Sequence, residues 1–226
     1  MAGKRTYGDR CGIARALDIV GERWALLVVR ELLLGPKRFT DLRAGLPKLG
    51  PDILAQRLRE LEQAGVVRRQ QLPAPAASRV YELTDRGREL EPVVLELGRW
   101  GSRTAFPAVP AGFGVDSAVL ALKTLFSPEA ADGLQATYEL RFGEQRFTVR
   151  VSDARFEIHR GDAEKTDAII DTNPATLASL LWHGGRLTAE VRAGRIKIDG
   201  SRPSVQQFLN LFPLPNQPDP VKSPGR

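Results

Sequence analysis

The chain reads as an α+β protein in two parts, a helical N-terminal half carrying one hairpin and a C-terminal half in which strands and helices alternate. Three observations support this. The stretch from Arg38 to Thr84 holds two short helical segments followed by two β-rich pieces, and beyond residue 114 the hydrophobic period changes to strand alternation. Charge is also segregated. Residues 1–105 hold 19 Lys and Arg against 13 Asp and Glu, whereas residues 106–226 hold 14 of each, so the net +6 lies wholly in the first half. A DNA-binding domain joined to a neutral partner domain distributes charge in this way.

In the first half, Ile13, Leu17 and Val20 predict a short amphipathic helix from Asp9 to Val20, interrupted by Gly21. A second helix is expected from about Glu22 to Leu34, with Trp24, Leu27, Val28 and Leu32 inward and Gly35 and Pro36 ending it. Thr40 reads as the N-cap of a third, with Phe39 as the staple residue before it. Gly50 and Pro51 open a fourth, because proline at the first helical position gives up no intrahelical bond. Leu54, Leu58 and Leu61 commit one face of that helix to the core.

The opposite face carries Asp52, Gln56, Arg59 and Gln63, with Ala55 beside it. Gln and Arg suit bidentate hydrogen bonds to adenine and guanine edges, and Ala lets a helix sit deep in a major groove. Asp52, Ala55, Gln56 and Arg59 are therefore the candidate base-reading residues; the alternative is a merely solvated face. After Gly65, the runs Val66–Leu72 and Ser78–Leu83 pair as a hairpin whose tip is bracketed by Arg68, Arg69 and Arg79. Two short helices followed by a hairpin is the order of a winged helix-turn-helix. Phosphate contacts fix register without reading sequence, and the candidates for them are Lys37, Arg38, Thr40, Lys48, Arg57, Arg68, Arg69, Ser78 and Arg79. Thr84 caps a further helix running through Leu90, Val93, Val94, Leu97 and Trp100.

Residues 107–114 read as a linker between a domain at 1–106 and a second at 115–213. In the second, a helix through Val119, Leu122 and Phe126 precedes a strand with Leu134, Ala136, Tyr138, Leu140 and Phe142 on one face. Gly143 and Glu144 turn into a strand with Phe147, Val149 and Val151 inward, and Asp153 with Ala154 turns into one with Phe156 and Ile158 inward. A short strand at Ala168 to Ile170 follows. Asn173 and Pro174 then open a helix stopped by Gly184 and Gly185. A helical piece near Leu187, a strand to Gly200 and a last helix from Ser204 complete the domain, and residues 214–226, rich in proline, read as a disordered tail.

Several function classes are excluded at this level. No run of eighteen apolar residues and no charged-then-apolar leader is present, so a soluble, cytoplasmic protein without a membrane partner is expected. His159 and His183 have no second ligand at metal spacing, and neither a phosphate loop nor a nucleophile elbow occurs. No catalytic residue, metal or cofactor is assigned. The single cysteine, Cys11, excludes an internal disulfide; near Arg10 and Arg15 it is either a redox-sensitive thiol or a buried small hydrophobe.

Many spaced positions in the first half carry a resemblance. Cys11, Ala16 to Ile19, Gly21, Arg23, Trp24, Arg30 to Leu32, Gly35, Pro36, Arg38, Phe39, Leu58, Glu60, Leu61, Gly65 to Val67, Tyr81, Leu83, Thr84, Gly87, Trp100 and Gly101 together resemble the HxlR family of bacterial winged-helix transcription regulators. The resemblance implies double-stranded DNA as partner, and a homodimer built from the first and last helices of the domain, presenting two recognition helices to a pseudo-palindromic operator. It also implies a redox role for Cys11, since some members of the family respond to oxidants through a cysteine in this region.

The second half, with its meander, Thr172–Asn173–Pro174, leucine-rich helix, glycine pair and Asp199–Gly200, resembles the sterol-carrier-protein-2-like fold. That resemblance implies an apolar tunnel for a small ligand or lipid, with Phe126, Phe156, Leu177, Leu181, Trp182, Phe208 and Phe212 as its candidate lining; the alternative is that these residues are packed core. The reading that follows is a dimeric transcription regulator controlled by an apolar effector, against a lipid carrier or a scaffold domain.

Overall fold

The structure, a computed structural model, describes residues 6–73, 78–104 and 114–215. The chain divides into two compact units, Met1–Val94 and Leu95–Arg226. The expected linker at 107–114 and the expected tail lie outside the described residues, apart from Gly114, Leu214 and Pro215. No helix among the described residues is long and apolar enough to cross a membrane.

The first unit has the order α1 (Gly12–Val20), α2 (Ala25–Leu32), α3 (Phe39–Gly45), α4 (Pro51–Gln63), β1 (Val67–Gln71), β2 (Arg79–Leu83) and α5 (Asp85–Arg88), a winged helix-turn-helix; α6 (Glu91–Gly101) runs across the division. Its core gathers Val28 and Leu32 of α2, Leu42 of α3 and Leu54, Leu58 and Leu61 of α4, all buried. The expected opening of α4 is observed, with Gly50 as N-cap and Pro51 in the first turn. β1 and β2 pair antiparallel with Val67 opposite Leu83, which puts both side chains into that core.

Four local expectations are corrected. Helix α2 begins at Ala25, because Trp24 takes a left-handed backbone conformation with φ 79° that cannot continue a helix. Its buried stripe is consequently Ala25, Val28, Val29 and Leu32, and Leu27 is exposed. The N-cap of α3 is Arg38 rather than Thr40: the Arg38 amide donates to Asp41 Oδ2 at 3.1 Å, a reach-back from the third helical position. The helix after Thr84 is broken. Thr84 does cap α5, its hydroxyl accepting from the Gly87 amide at 3.0 Å, but Pro92 has no N–H to continue the ladder and a new helix starts at Glu91. Finally, the last helix of the chain is capped by Ser201 three residues earlier than expected, its hydroxyl accepting from the Ser204 amide.

The second unit is a five-stranded mixed sheet with helices. Its strands are β3 (Ala136–Phe142), β4 (Gln145–Ser152), β5 (Arg155–Arg160), β6 (Ala168–Asp171) and β7 (Lys197–Gly200), in the order β5-β4-β3-β6-β7. Only β3 and β6 run parallel. The helices are α7 (Val115–Leu125), α8 (Pro174–Trp182), α9 (Leu187–Arg192) and α10 (Arg202–Leu209). Tyr138, Leu140, Phe147, Val149, Val151 and Ile158 line the buried face, as the alternation requires.

The turns follow the expected chemistry. Asp153 and Ala154, at φ 51° and 55°, form a two-residue hairpin loop of the mirror-image kind whose twist matches the strands. Asn173 caps α8, accepting from the Thr176 amide at 2.9 Å. On the opposite sheet face Glu139 is also buried; burial works against its charge, but Arg141 and the Ala163 amide prevail and hold it below the usual carboxylate range. Tyr138, buried and near Asp167, has its phenol pushed up to about 12.

Candidate nucleic-acid interface

Helix α4 presents its non-leucine side to solvent. Asp52, Gln56 and Arg59 are exposed, because they lie about 100° or more around the helix from Leu54, Leu58 and Leu61, and Ala55, about 60° from Leu58, is half-buried. Gln56 Nε2 donates to Glu60 Oε1 at 3.0 Å, a bond between exposed groups that a competing base edge can replace. Arg59 has no carboxylate partner among the described residues. Sequence reasoning missed Ile53, which is 44% exposed in the first turn of this helix.

The phosphate candidates separate into three groups. Arg38, Lys48 and Arg79 are exposed and carry no carboxylate partner among the described residues; Arg43 of α3, which sequence reasoning passed over, joins them, and Thr40 is exposed beside Arg38. Arg68 and Arg69 are exposed but tethered, Arg68 to Glu82 at 2.6 Å and Arg69 to Glu62 at 3.3 Å while it lies over the Tyr81 ring. Such pairs in high dielectric are worth no more than about 1 kcal/mol, so a phosphate can displace the carboxylate.

Lys37, Arg57 and Ser78 form the third group, whose side chains are engaged or shielded in the protomer. Lys37 Nζ donates to the buried Glu31 carboxylate at 2.6 Å, and its backbone bridges Tyr81 in both directions. Arg57 is 7% exposed, its guanidinium 2.7 Å from Glu60 and 3.4 Å from Glu22. It lies only about 60° around the helix from Leu54, and its partner Glu22 stands before α2 in the chain. Arg57 therefore ties α4 to the segment that precedes α2. The Ser78 hydroxyl is shielded from solvent.

Glu31 is the fixed point under this surface. It is 2% exposed, and its two oxygens are taken by Arg30 at 2.7 Å and Lys37 at 2.6 Å. A Cβ at Gly45 would stand 2.2 Å from Glu31 Oε2, so the end of α3 reaches this carboxylate only as glycine. One side chain thus links α2, α3 and, through Lys37 and Tyr81, the wing.

Cys11 is exposed at the N-cap of α1, contrary to the expectation of a buried small hydrophobe. His159 and His183 are exposed, and no group of three His, Cys, Asp or Glu among the described residues is arranged to hold a metal. In the second unit Phe208, Phe212 and Leu177 are buried, with Phe126, Phe156, Leu181 and Trp182 half-buried. Phe126 stacks on Phe156, Phe212 meets Phe156 and Phe208 edge-on and lies tilted to Phe126, with ring centroids 5.1–6.3 Å apart, and Trp182 Nε1 donates to the Phe212 carbonyl. A cleft of about 380 Å³ opens at Phe126 beside Arg99, Thr124 and Leu214.

Comparison with known proteins separates the halves in the same way. A family model described as HxlR-like helix-turn-helix matches residues 19–108, and one described as alkyl sulfatase C-terminal matches residues 120–219, where the sequence resembled the sterol-carrier-protein-2-like fold. The HTH-type transcriptional regulator YvaP of Bacillus subtilis (strain 168), itself uncharacterized, is 39% identical over 94 residues, covering 42% of this chain and 87% of that protein. The HTH-type transcriptional regulator YodB of the same organism is 37% identical over 92 residues, 41% of this chain and 82% of that one. The solved reduced form of YodB is 34% identical over 45% of this chain and all of that chain, with a TM-score of 0.38. With its helix order and the extent of these matches, the chain belongs to the HxlR-like helix-turn-helix family of transcriptional regulators.

Proposed function

We propose that this chain is a homodimeric, sequence-specific DNA-binding regulator, with residues 1–106 binding DNA and dimerising and residues 115–213 sensing an apolar ligand. The observation that carries the first part is the exposed polar side of α4, with Gln56 and Arg59 accessible and Arg38, Lys48 and Arg79 without carboxylate partners among the described residues. Asp52, Ala55, Gln56 and Arg59 meet base edges; Arg38, Thr40, Lys48, Arg68, Arg69 and Arg79 hold phosphates. Two-fold symmetry puts the half-sites about one helical turn apart, roughly ten base pairs centre to centre.

Two kinds of variant separate these roles. Gln56→Ala or Arg59→Ala relaxes sequence choice at a cost of about 1–3 kcal/mol on the preferred site, whereas Arg79→Ala weakens all sequences alike and lowers the salt slope by about one. Binding isotherms on preferred and scrambled duplexes at several salt concentrations measure both. Equal losses on both duplexes for Gln56→Ala and Arg59→Ala contradict the assignment of the reading face.

Dimerisation is supported by apolar side chains that the protomer leaves uncovered. Ile13 and Leu17 of α1 are 72% and 42% exposed, Val93, Leu97 and Trp100 of α6 are exposed, and α6 buries no residue. Such stripes on helices of a folded protein mark an interaction surface.

For the second unit, an apolar ligand held in a sterol-carrier-protein-2-like arrangement biases two dimer states through its differential affinity. The cleft supports this reading only at Phe126, the one candidate lining residue that borders it, whose ring packs on Phe156. The edge-on packing of those rings on one another favours the rival, a filled scaffold that stabilises the dimer or recruits a partner. Native mass spectrometry of the purified chain decides: a co-purifying lipid supports the sensor, and bare protein whose DNA binding ignores a lipid extract leaves the scaffold. Cys11, exposed at the start of α1, is proposed as a redox-sensitive thiol; alkylation no faster than that of free cysteine would remove this role.

A further inference from the structure

The base-reading set leaves one side chain of α4 unexplained. Ile53 is 44% exposed, although a branched apolar side chain on a helix with a leucine core face is ordinarily turned inward. Its neighbour Leu54, about 100° around the helix, is fully buried. Around the helix Ile53 lies about 60° from Gln56, and three residues along the chain puts their Cβ atoms about 5–6 Å apart. Both lie in the N-terminal half of the helix, the part that a helix-turn-helix directs at base edges. Two cations flank this part of the helix beside the adjacent Asp52: Lys48, three positions before Pro51, and Arg59, further along α4, both without carboxylate partners among the described residues. A duplex seated there brings phosphates to the cations and bases to Gln56, and so covers Ile53 as well.

The major groove offers one apolar group, the C5-methyl of thymine. We propose that Ile53 is a further specificity-determining residue, which packs on the C5-methyl group of a thymine within one or two base steps of the base that Gln56 addresses. The inference rests on the reading of α4 as the recognition helix and adds a base preference to it. It explains why an isoleucine is left half-exposed on an otherwise polar side: in the complex its apolar surface is removed from water, and in the free protein nothing covers it.

The test uses the full chain and the duplex that it selects from a random pool. Each thymine of that duplex is replaced in turn by deoxyuridine, which removes only the C5-methyl. One substitution per half-site is expected to weaken wild-type binding about three- to tenfold, the loss of one buried methyl and its packing. In Ile53→Ala, which alters a half-exposed side chain, the same substitution has no further effect, while Ile53→Val retains part of the wild-type penalty. A uridine scan that is flat for wild type, or one whose penalties persist undiminished in Ile53→Ala, overturns the inference while leaving Gln56 and Arg59 as base readers. If no sequence is preferred in the selection, the recognition-helix reading fails, and the inference fails with it.

Discussion

Replacing Glu31 with alanine is expected to destabilise the first unit by about 3 kcal/mol and to lower its melting temperature by roughly 12–24 °C. The carboxylate is 2% exposed and neutralises two cations, Arg30 and Lys37, which are themselves 23% and 15% exposed. Removing the shared partner leaves both positive charges close together in a part-buried site. Breaking a buried pair costs about 3–5 kcal/mol, and the partial solvent access of Arg30 and Lys37 keeps the effect at the lower end. Lys37 also bridges to Tyr81, and the end of α3 packs on the same carboxylate at Gly45. The loss should therefore loosen the wing and α3 together. Circular dichroism on heating measures the stability, and hydrogen exchange at the Tyr81 amide reads the wing. A loss below about 1 kcal/mol would mean that Glu31 is an ordinary surface carboxylate.

A glutamate in place of Leu97 should convert the proposed dimer to a monomer and reduce operator affinity about 100-fold or more, because joining two half-site contacts multiplies their effect. Leu97 is 48% exposed in the protomer, so the new charge meets water and the monomer fold is undisturbed. In a dimer that buries this residue the carboxylates are desolvated without partners. Ile13→Glu, 72% exposed on α1, is the independent check. Sedimentation velocity gives the mass and DNA titration the affinity. A Leu97→Glu protein that remains dimeric and binds as before would show that α6 lies outside the interface.

Much of the first unit was legible because it follows local rules. Gly50 and Pro51 open α4, Leu54, Leu58 and Leu61 set its buried face, and the two β-rich runs after Gly65 pair as the hairpin β1–β2. Asn173 and the Asp153–Ala154 turn were equally local. What escaped depends on distant partners. Arg57 looks solvated in sequence, yet it is buried, and one of its two carboxylate partners, Glu22, is thirty-five positions away. Lys37 looks free until the loop after α2 returns it to Glu31. Trp24 gave no signal of its left-handed backbone, since that conformation is unusual for a bulky residue and is imposed by its surroundings. Ile13 and Leu17 showed an amphipathic stripe correctly, but a pattern of spacing says only that a face is apolar and not which chain covers it.

The measurement that bears hardest on the recognition face is selection of DNA from a random pool by the purified full chain, run beside the Gln56→Ala, Arg59→Ala double variant. Wild-type protein should enrich a two-fold symmetric sequence with half-sites about ten base pairs apart, and the variant should lose preference at matching positions in both half-sites while still binding duplex through Arg38, Lys48 and Arg79. Enrichment of the same sequence to the same degree by both proteins would contradict the assignment, because the polar side of α4 would then not be where bases are read.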